Sequence, residues 1–271
     1  MKQWRTCVKI AVRENMVPGR TLEERLDILE RINYAGIELT RPETIARGAE
    51  ELRRVFQNRS VQPTTLPGPR GLLDPDPAER AASLQLFQQQ LNLCKALDAV
   101  GVLVVPIFGR QPLVPDLSPW RSAVEVETEL LLVELKEIAT YAAQAGATVI
   151  IEPLNRYETH LVKTLDQGAE FCRRVNRPEI RIMADFFHMH IEEANLAASI
   201  RQSAPFIRYV HVADSNRLQP GRGHLDFRPG FRALKDAGYD SYLGVECTLV
   251  GPPEDALKEA AINIQKIWAE A

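Results

Sequence analysis

The sequence predicts one α/β domain spanning residues 1–271, folded as a (β/α)8 barrel. Three observations predict it. Short apolar runs alternate with helical patterns along the whole chain, and no linker interrupts them. Such alternation belongs to parallel strands joined by crossover helices. The last four runs each finish on a side chain able to bind metal: Glu152 after TVII, Asp185 after IRIMA, His211 after IRYV and Glu246 after YLGV. They follow one another at 33, 26 and 35 residues, close to one strand–helix unit of a barrel of roughly 250 residues in eight units. Finally, no glycine-rich phosphate loop follows the first strand, which disfavours a doubly wound sheet. In the barrel, the carboxyl ends of the strands share one rim, and that rim carries the chemistry.

Taken in order, TCVKIAV (6–12) is strand one. Thr21 and Glu24 form a capping box for the helix that follows, and Leu22, Leu26, Leu29 and Asn33 trace one stripe of it. GIEL (36–39) is strand two, with Glu38 near its exit. A helix over about 43–57 leads to strand three, VQPTT (61–65). The Pro- and Gly-rich loop beyond it ends in Asp76, Pro77 and Glu79, an N-cap, a first-turn proline and a capping acid. Leu84, Phe87, Leu91 and Cys94 then recur at helical spacing, and VGVLVVP (100–106) is strand four. Its exit loop, IFGRQPLVPDLSPW, is long enough to be a lid or a binding loop. Phe108, Arg110 and Trp120 are its candidate contacts, unless it is a plain surface loop with Trp120 packed beneath. An acidic-fronted helix over about 125–145 is closed by Gly146, and ATVIIE is strand five. Thr164 and Gln167 open the next helix, which ends before Pro178. IRIMAD (180–185), FIRYVHVAD (206–214) and YLGVEC (242–247) are strands six to eight, and DALKEAAINIQKIWAEA is the closing helix.

Composition narrows the function classes. Hydrophobic residues make up 45% and charged residues 25%, enough for a full-sized core. A net charge of −3 leaves no basic excess for nucleic acid, so no nucleic-acid partner is expected. No apolar run reaches the ~20 residues of a membrane span, and the opening MKQWRTCVKIAVREN lacks the apolar core of a secretory signal. Cys7, Cys94, Cys172 and Cys247 lie far apart without a CxxC, as in a reduced, cytoplasmic protein.

Three carboxylates and one imidazole make a hard, oxygen-rich site. It suits Mn²⁺ or Mg²⁺, with Co²⁺ tolerated, better than a thiolate zinc site. A metal there would polarise a sugar carbonyl and stabilise an enediolate. A structural ring of salt bridges is the competing account of the four residues. Glu158, His188 and Arg217 fall just beyond Glu152, Asp185 and His211, in loops of the same rim. Together they offer a donor, an acceptor and a charge to a hydroxylated substrate. Singly, His190 competes with His188, and Arg217 could be a solvated cation.

EPLNRYETH, ADFFHMHIEE, VHVADSNRLQPGRGHLDF and YLGVEC resemble the blocks of the sugar isomerase/epimerase branch of the xylose isomerase-like TIM barrels. Within that branch they most resemble the ketose 3-epimerases, such as D-tagatose and D-psicose 3-epimerase. The similarity is strong over about 145–250 and topological before that. It implies Glu152, Asp185, His211 and Glu246 as ligands of one divalent metal, most readily Mn²⁺. It also implies Glu152 and Glu246 as the two proton-transfer carboxylates, and Glu158, His188 and Arg217 as holders of the substrate's first oxygens. The implied reaction takes the C3 proton of a ketose, passes through a cis-enediolate and returns a proton to the opposite face. The implied assembly is a homodimer or homotetramer. One departure bears on substrate: the ketohexose epimerases open with an aromatic-rich first strand, whereas this chain has VKIAVREN. Lys9 and Arg13 there point to an acidic or phosphorylated sugar, unless they face the outer helices or the bottom rim.

Rival readings share parts of this pattern. An aldose–ketose or hydroxypyruvate-type isomerase would use the same metal but move the proton between adjacent carbons. An apurinic-site endonuclease relative would need more histidines for several zinc ions, and a basic groove. A non-catalytic barrel would not need all seven rim residues.

Overall fold

The computed structural model describes residues 8–271. Among them, nine strands form one parallel sheet: β1 (Lys9–Arg13), β2 (Gly36–Glu38), β3 (Gln62–Pro63), β4 (Thr65–Pro67), β5 (Gly101–Val104), β6 (Val149–Ile151), β7 (Ile180–Asp185), β8 (Ile207–Val212) and β9 (Tyr242–Val245). Their order is β3-β2-β1-β9-β8-β7-β6-β5-β4. β1 meets β9 in register, Ala11 beside Gly244, so the sheet curls into a nearly closed barrel. Of the first strand as read from the sequence, Thr6 and Cys7 lie outside the described residues, and the strand extends one residue further, to Arg13.

The ninth strand comes from one predicted element. Strand three, expected over 61–65, is split into β3, which pairs with β2, and β4, which pairs with β5. Pro63 and Pro67 have no N–H to give a ladder, which keeps each piece short. Thr64 joins them, donating its N–H to Ile37 O (2.8 Å) and accepting from Val100 N (2.7 Å). Leu39 N also donates to Thr65 O (3.0 Å), so Thr64 and Thr65 together bridge β2 to the β4–β5 side of the barrel.

Ten α-helices surround the sheet among the described residues: α1 (Leu22–Arg31), α2 (Pro42–Ile45), α3 (Gly48–Phe56), α4 (Pro77–Ala96), α5 (Ala123–Ala145), α6 (Leu165–Val175), α7 (Phe186–Glu192), α8 (Leu196–Ser203), α9 (Arg228–Asp236) and α10 (Pro253–Glu270). Eight were expected. The helix placed at about 43–57 breaks into α2 and α3 where Gly48 takes φ 74°, and the connection between β7 and β8 holds two helices. The Thr21 hydroxyl accepts from Glu24 N (3.2 Å), but the Glu24 carboxylate accepts from Arg20 N (2.7 Å), so only half of the predicted box forms. Asn33 does not extend the α1 stripe. It turns the chain at φ 60° beyond the helix end. Complete capping boxes open α5 (Ser122 with Glu125) and α6 (Thr164 with Gln167), and Gly146 closes α5 in the left-handed region. No helix of the described residues is long and apolar enough to cross a membrane.

Alternation along the strands sorts the core into two shells. Val149, Ile151, Ile182, Ala184, Val210 and Val212 face the helices and join the large outer core. Ile150, Met183 and Tyr209 face inward and pack with Leu103 and Tyr242 in the barrel's centre. Two residues further along, the same inward phase reaches Glu152, Asp185 and His211. The pattern that fills the barrel thus also aims these side chains over its mouth.

Candidate active site

Glu152, Asp185, His211 and Glu246 stand at consecutive exits of β6, β7, β8 and β9. One ligand atom from each lies within 4.8 Å of all the others, a group able to hold a metal ion. Asp185 pairs with His211 in the ladder, and His211 with Gly244. Gly244 matters here: a Cβ on it would lie 2.4 Å from Glu38 Oε1 and 3.0 Å from His211 Cδ2. Its missing side chain is the space in which those two groups meet.

His211 is oriented from below. Its Nε2 lies 2.8 Å from Glu38 Oε1, which also accepts from the Tyr209 hydroxyl (3.1 Å). Tyr209 is in turn 3.0 Å from Thr64 Oγ1. Donation from Nε2 leaves Nδ1 as the atom that faces the mouth, a histidine–carboxylate arrangement common behind metal-ligating imidazoles. Nδ1 has no hydrogen-bond partner, and neither has Glu246 Oε2, although the two atoms are only 3.1 Å apart. Glu152 Oε1 and Asp185 Oδ2 lie 3.7 and 3.6 Å from the same nitrogen. Burial works against a charge on His211, but the carboxylates of Glu38, Asp185 and Glu152 outweigh it and hold its pKa well above the ordinary value. Burial likewise opposes the Asp185 charge. His188, His211 and Arg217 reverse the effect and lower its pKa.

Two of the three carboxylates are tied down on one side. Asp185 Oδ1 caps α7, accepting from Phe187 N (2.7 Å) and His188 N (3.2 Å), which leaves Oδ2 for the site. Glu246 Oε1 is paired with the Arg13 guanidinium. Arg13 therefore does reach the cavity, but its charge is engaged by Glu246. Lys9 sits over the Tyr242 ring (4.7 Å), at the start of β1 and away from the rim.

The three predicted rim residues come together beside the ligand group. Asn155, buried in the turn after β6, organises them. Its N–H donates to His188 Nδ1 (3.2 Å), and its Nδ2 lies 2.8 Å from the same atom and 2.9 Å from Glu158 Oε1. His188 Nε2 is consequently the free donor, buried and without a partner, 3.9 Å from Glu152 and 3.8 Å from Asp185. Arg217 reaches Glu158 Oε1 (3.0 Å), approaches Glu246 Oε2 (3.6 Å) and lies over the Phe187 ring (4.6 Å). His190 is exposed, whereas His188 is buried.

Glu152, Glu158, His188, His211, Arg217 and Glu246 line a cavity of about 330 Å³, joined by Arg13, Arg70 and Phe108. Of the three loop contacts considered, only Phe108 lines it. Arg110 does not, and Trp120 is 71% exposed, neither packed beneath the loop nor turned to the cavity. Sequence reasoning gave no site role to Glu38 or Asn155. Glu38 carried the same signal as the four ligands, an acid at a strand exit, whereas Asn155 looked like any turn residue.

The model of the xylose isomerase-like TIM barrel family matches residues 26–267. The chain belongs to that family. A 3-dehydro-D-guloside 4-epimerase of Escherichia coli is 26% identical, covering 88% of this chain and 92% of its own. A D-psicose 3-epimerase of Ruminiclostridium cellulolyticum is 27% identical over 72% of this chain and 67% of its own. Among solved structures, a protein crystallised with a bound zinc atom superposes with a TM-score of 0.82 at 22% identity, covering 97% of this chain and 99% of its own. With relatives named as sugar epimerases, the chain is an isomerase-type enzyme.

Proposed function

We propose that this member of the family is a metal-dependent ketose 3-epimerase acting on a free or modified sugar through a cis-enediolate. The observation that carries the reading is the meeting of unpaired, buried His211 Nδ1 and Glu246 Oε2 with Glu152 and Asp185 oxygens. Unpaired buried polar atoms are costly, and here a divalent cation would satisfy both. Glu152, Asp185, His211 and Glu246 would hold it. The donor set favours Mn²⁺, with Mg²⁺ or Co²⁺ acceptable. When bound, the ion supplies positive charge that acidifies a proton beside a carbonyl.

The remaining work falls to the chain. Glu152 and Glu246 stand at the two ends of the run of ligands, β6 and β9. In the proposal one removes the proton at C3 and the other returns one to the opposite face, as inversion requires. His188 Nε2 donates to a substrate oxygen, and Glu158 with Arg217 holds the neighbouring hydroxyls. Pro67, Leu103 and Val105 line the first cavity beside these groups and limit access of bulk water.

The E. coli relative supports a second reading, in which the inverted carbon is C4 beside a 3-keto group. Turnover in deuterium oxide tests both. Label at C3 of a ketose supports the first, and label at C4 of a 3-keto sugar the second. Label delivered to C1 or C2 would mean an isomerase that moves the proton between adjacent carbons.

A further inference from the structure

A second cavity, of about 360 Å³, adjoins the first. The two share Arg70, Val105 and Phe108, so they are neighbouring chambers of one mouth. Their chemistry differs. The first holds the carboxylates, imidazoles and Arg217. The second is walled largely by Leu73, Pro106, Ile107 and Leu113. Between them the Arg70 guanidinium lies 4.5 Å from the Phe108 ring centre, a flat partition with an apolar and a cationic face. Phe108 and Leu113 remain 44% and 50% exposed, large apolar surface left to water beside a polar site.

This wall is built and held. Gly109 donates its N–H to Glu158 O (2.8 Å), and His160 Nδ1 lies 2.9 Å from Gly109 O. Glu127, fully buried on α5, accepts from Leu113 N (2.6 Å) and meets His160 Nε2 (2.5 Å). Burying a carboxylate is unfavourable unless it is well paired. Here it is spent on fixing the loop backbone at both sides of Phe108 and Leu113. A connection that only crossed the surface would not need such an anchor. Binding sites of this kind are preformed, mostly apolar, and polar only where orientation is set.

We propose that the natural substrate is a keto sugar bearing an apolar substituent, of aryl or alkyl type, on the end remote from the reacting carbon. The substituent occupies the second cavity, past the Arg70–Phe108 partition, while the sugar sits in the first. The inference rests on the epimerase reading and narrows its substrate class. Leu73, Ile107 and Leu113 then select the substituent.

The test uses the metal-loaded enzyme in deuterium oxide with D-fructose, D-psicose, D-tagatose and D-sorbose, each free, as the 6-O-methyl ether and as the 6-O-benzyl ether. Label entering C3 is followed by NMR. The benzyl ether of at least one sugar should have a kcat/KM roughly tenfold or more above its methyl ether, because removing a phenyl ring from water is worth at least that. Leu113→Ser, at a half-exposed position, should cut this benzyl-over-methyl preference several-fold. Equal rates for benzyl and methyl ethers would overturn the inference while leaving the epimerase reading intact. A preference untouched by Leu113→Ser would overturn the assignment to this cavity. Absence of label from every sugar would instead overturn the ketose 3-epimerase reading, on which the inference rests.

Discussion

At the residue scale, the proposed reaction asks Glu152 and Glu246 to do two things, hold a cation and move a proton. Replacing either by Gln keeps the size and one ligating oxygen but removes the base. General acid–base steps typically contribute about 10²–10⁴-fold, so Glu152→Gln and Glu246→Gln should each lower kcat by about that much while metal content stays near stoichiometric. A variant with normal metal and near-normal turnover would dismiss the two-glutamate scheme. Glu38 should behave differently. Its carboxylate is bonded to His211 Nε2, and loss of such an orienting carboxylate typically weakens metal affinity about 10–100-fold. Glu38→Gln should therefore fail at low metal and recover at high metal, as read by metal titration. The four candidate ligand residues were legible because each ends an apolar run in the same phase. Arg13 was legible only as a charge out of place. That it would reach across to Glu246 depends on β1 pairing with β9, a contact 233 residues apart that no local pattern reports.

At the element scale, the strands that build the site were read nearly to the residue, because buried parallel strands are dense in β-branched residues and their exits bear the unusual side chains. The elements that failed did so for local reasons. Pro63 and Pro67 divide a strand that hydrophobicity alone would join. The β7–β8 connection carries α7 and α8, and α7 starts directly at Asp185, so a single residue is both strand end and helix N-cap. The long loop after β5 was recognised as unusual, but its anchor was not, since Glu127 and His160 are 33 residues apart in the chain. At β9 a small change meets a closely packed layer. Gly244→Ala places a methyl where Glu38 Oε1 and His211 Cδ2 already sit. Glu38 and His211 are pinned, so they cannot yield freely. The variant should lose metal affinity by at least as much as Glu38→Gln and melt at a lower temperature. If calorimetry finds wild-type affinity and an unchanged midpoint, the close packing of this layer is less strict than the geometry implies.

At the scale of the whole molecule, we propose that the chain folds as one domain and assembles as a homodimer or homotetramer, the latter by analogy with the fold's relatives. Limited proteolysis yielding two stable halves, or light scattering giving a mass near 30.5 kDa, would count against each in turn. The proposed metal site would also couple to global stability, with a sign that follows from its titrating groups. In the metal-free protein the pKa of His211 is raised. Its contribution to stability is full below the unfolded value of about 6.5 and is lost as pH climbs through the folded value. The pKa values of Asp185 and Glu38 are lowered. Their contribution is full above unfolded values of about 4 and is lost as pH falls through the folded ones. For this cluster, the metal-free protein is thus best served between about pH 4.5 and 6.5. A cation has the opposite preference at His211, because it can take Nδ1 only after the proton leaves. Its affinity should rise by about tenfold per pH unit while His211 stays protonated in the metal-free state. Ligand binding to the native state adds stability with the logarithm of concentration over Kd. The gap in melting temperature between Mn²⁺-loaded and EDTA-treated protein, at fixed free Mn²⁺, should accordingly widen from about pH 5.5 to 8. A gap that stayed flat over this range would mean that no proton leaves His211 on binding, and would overturn the exchange of proton for metal at Nδ1.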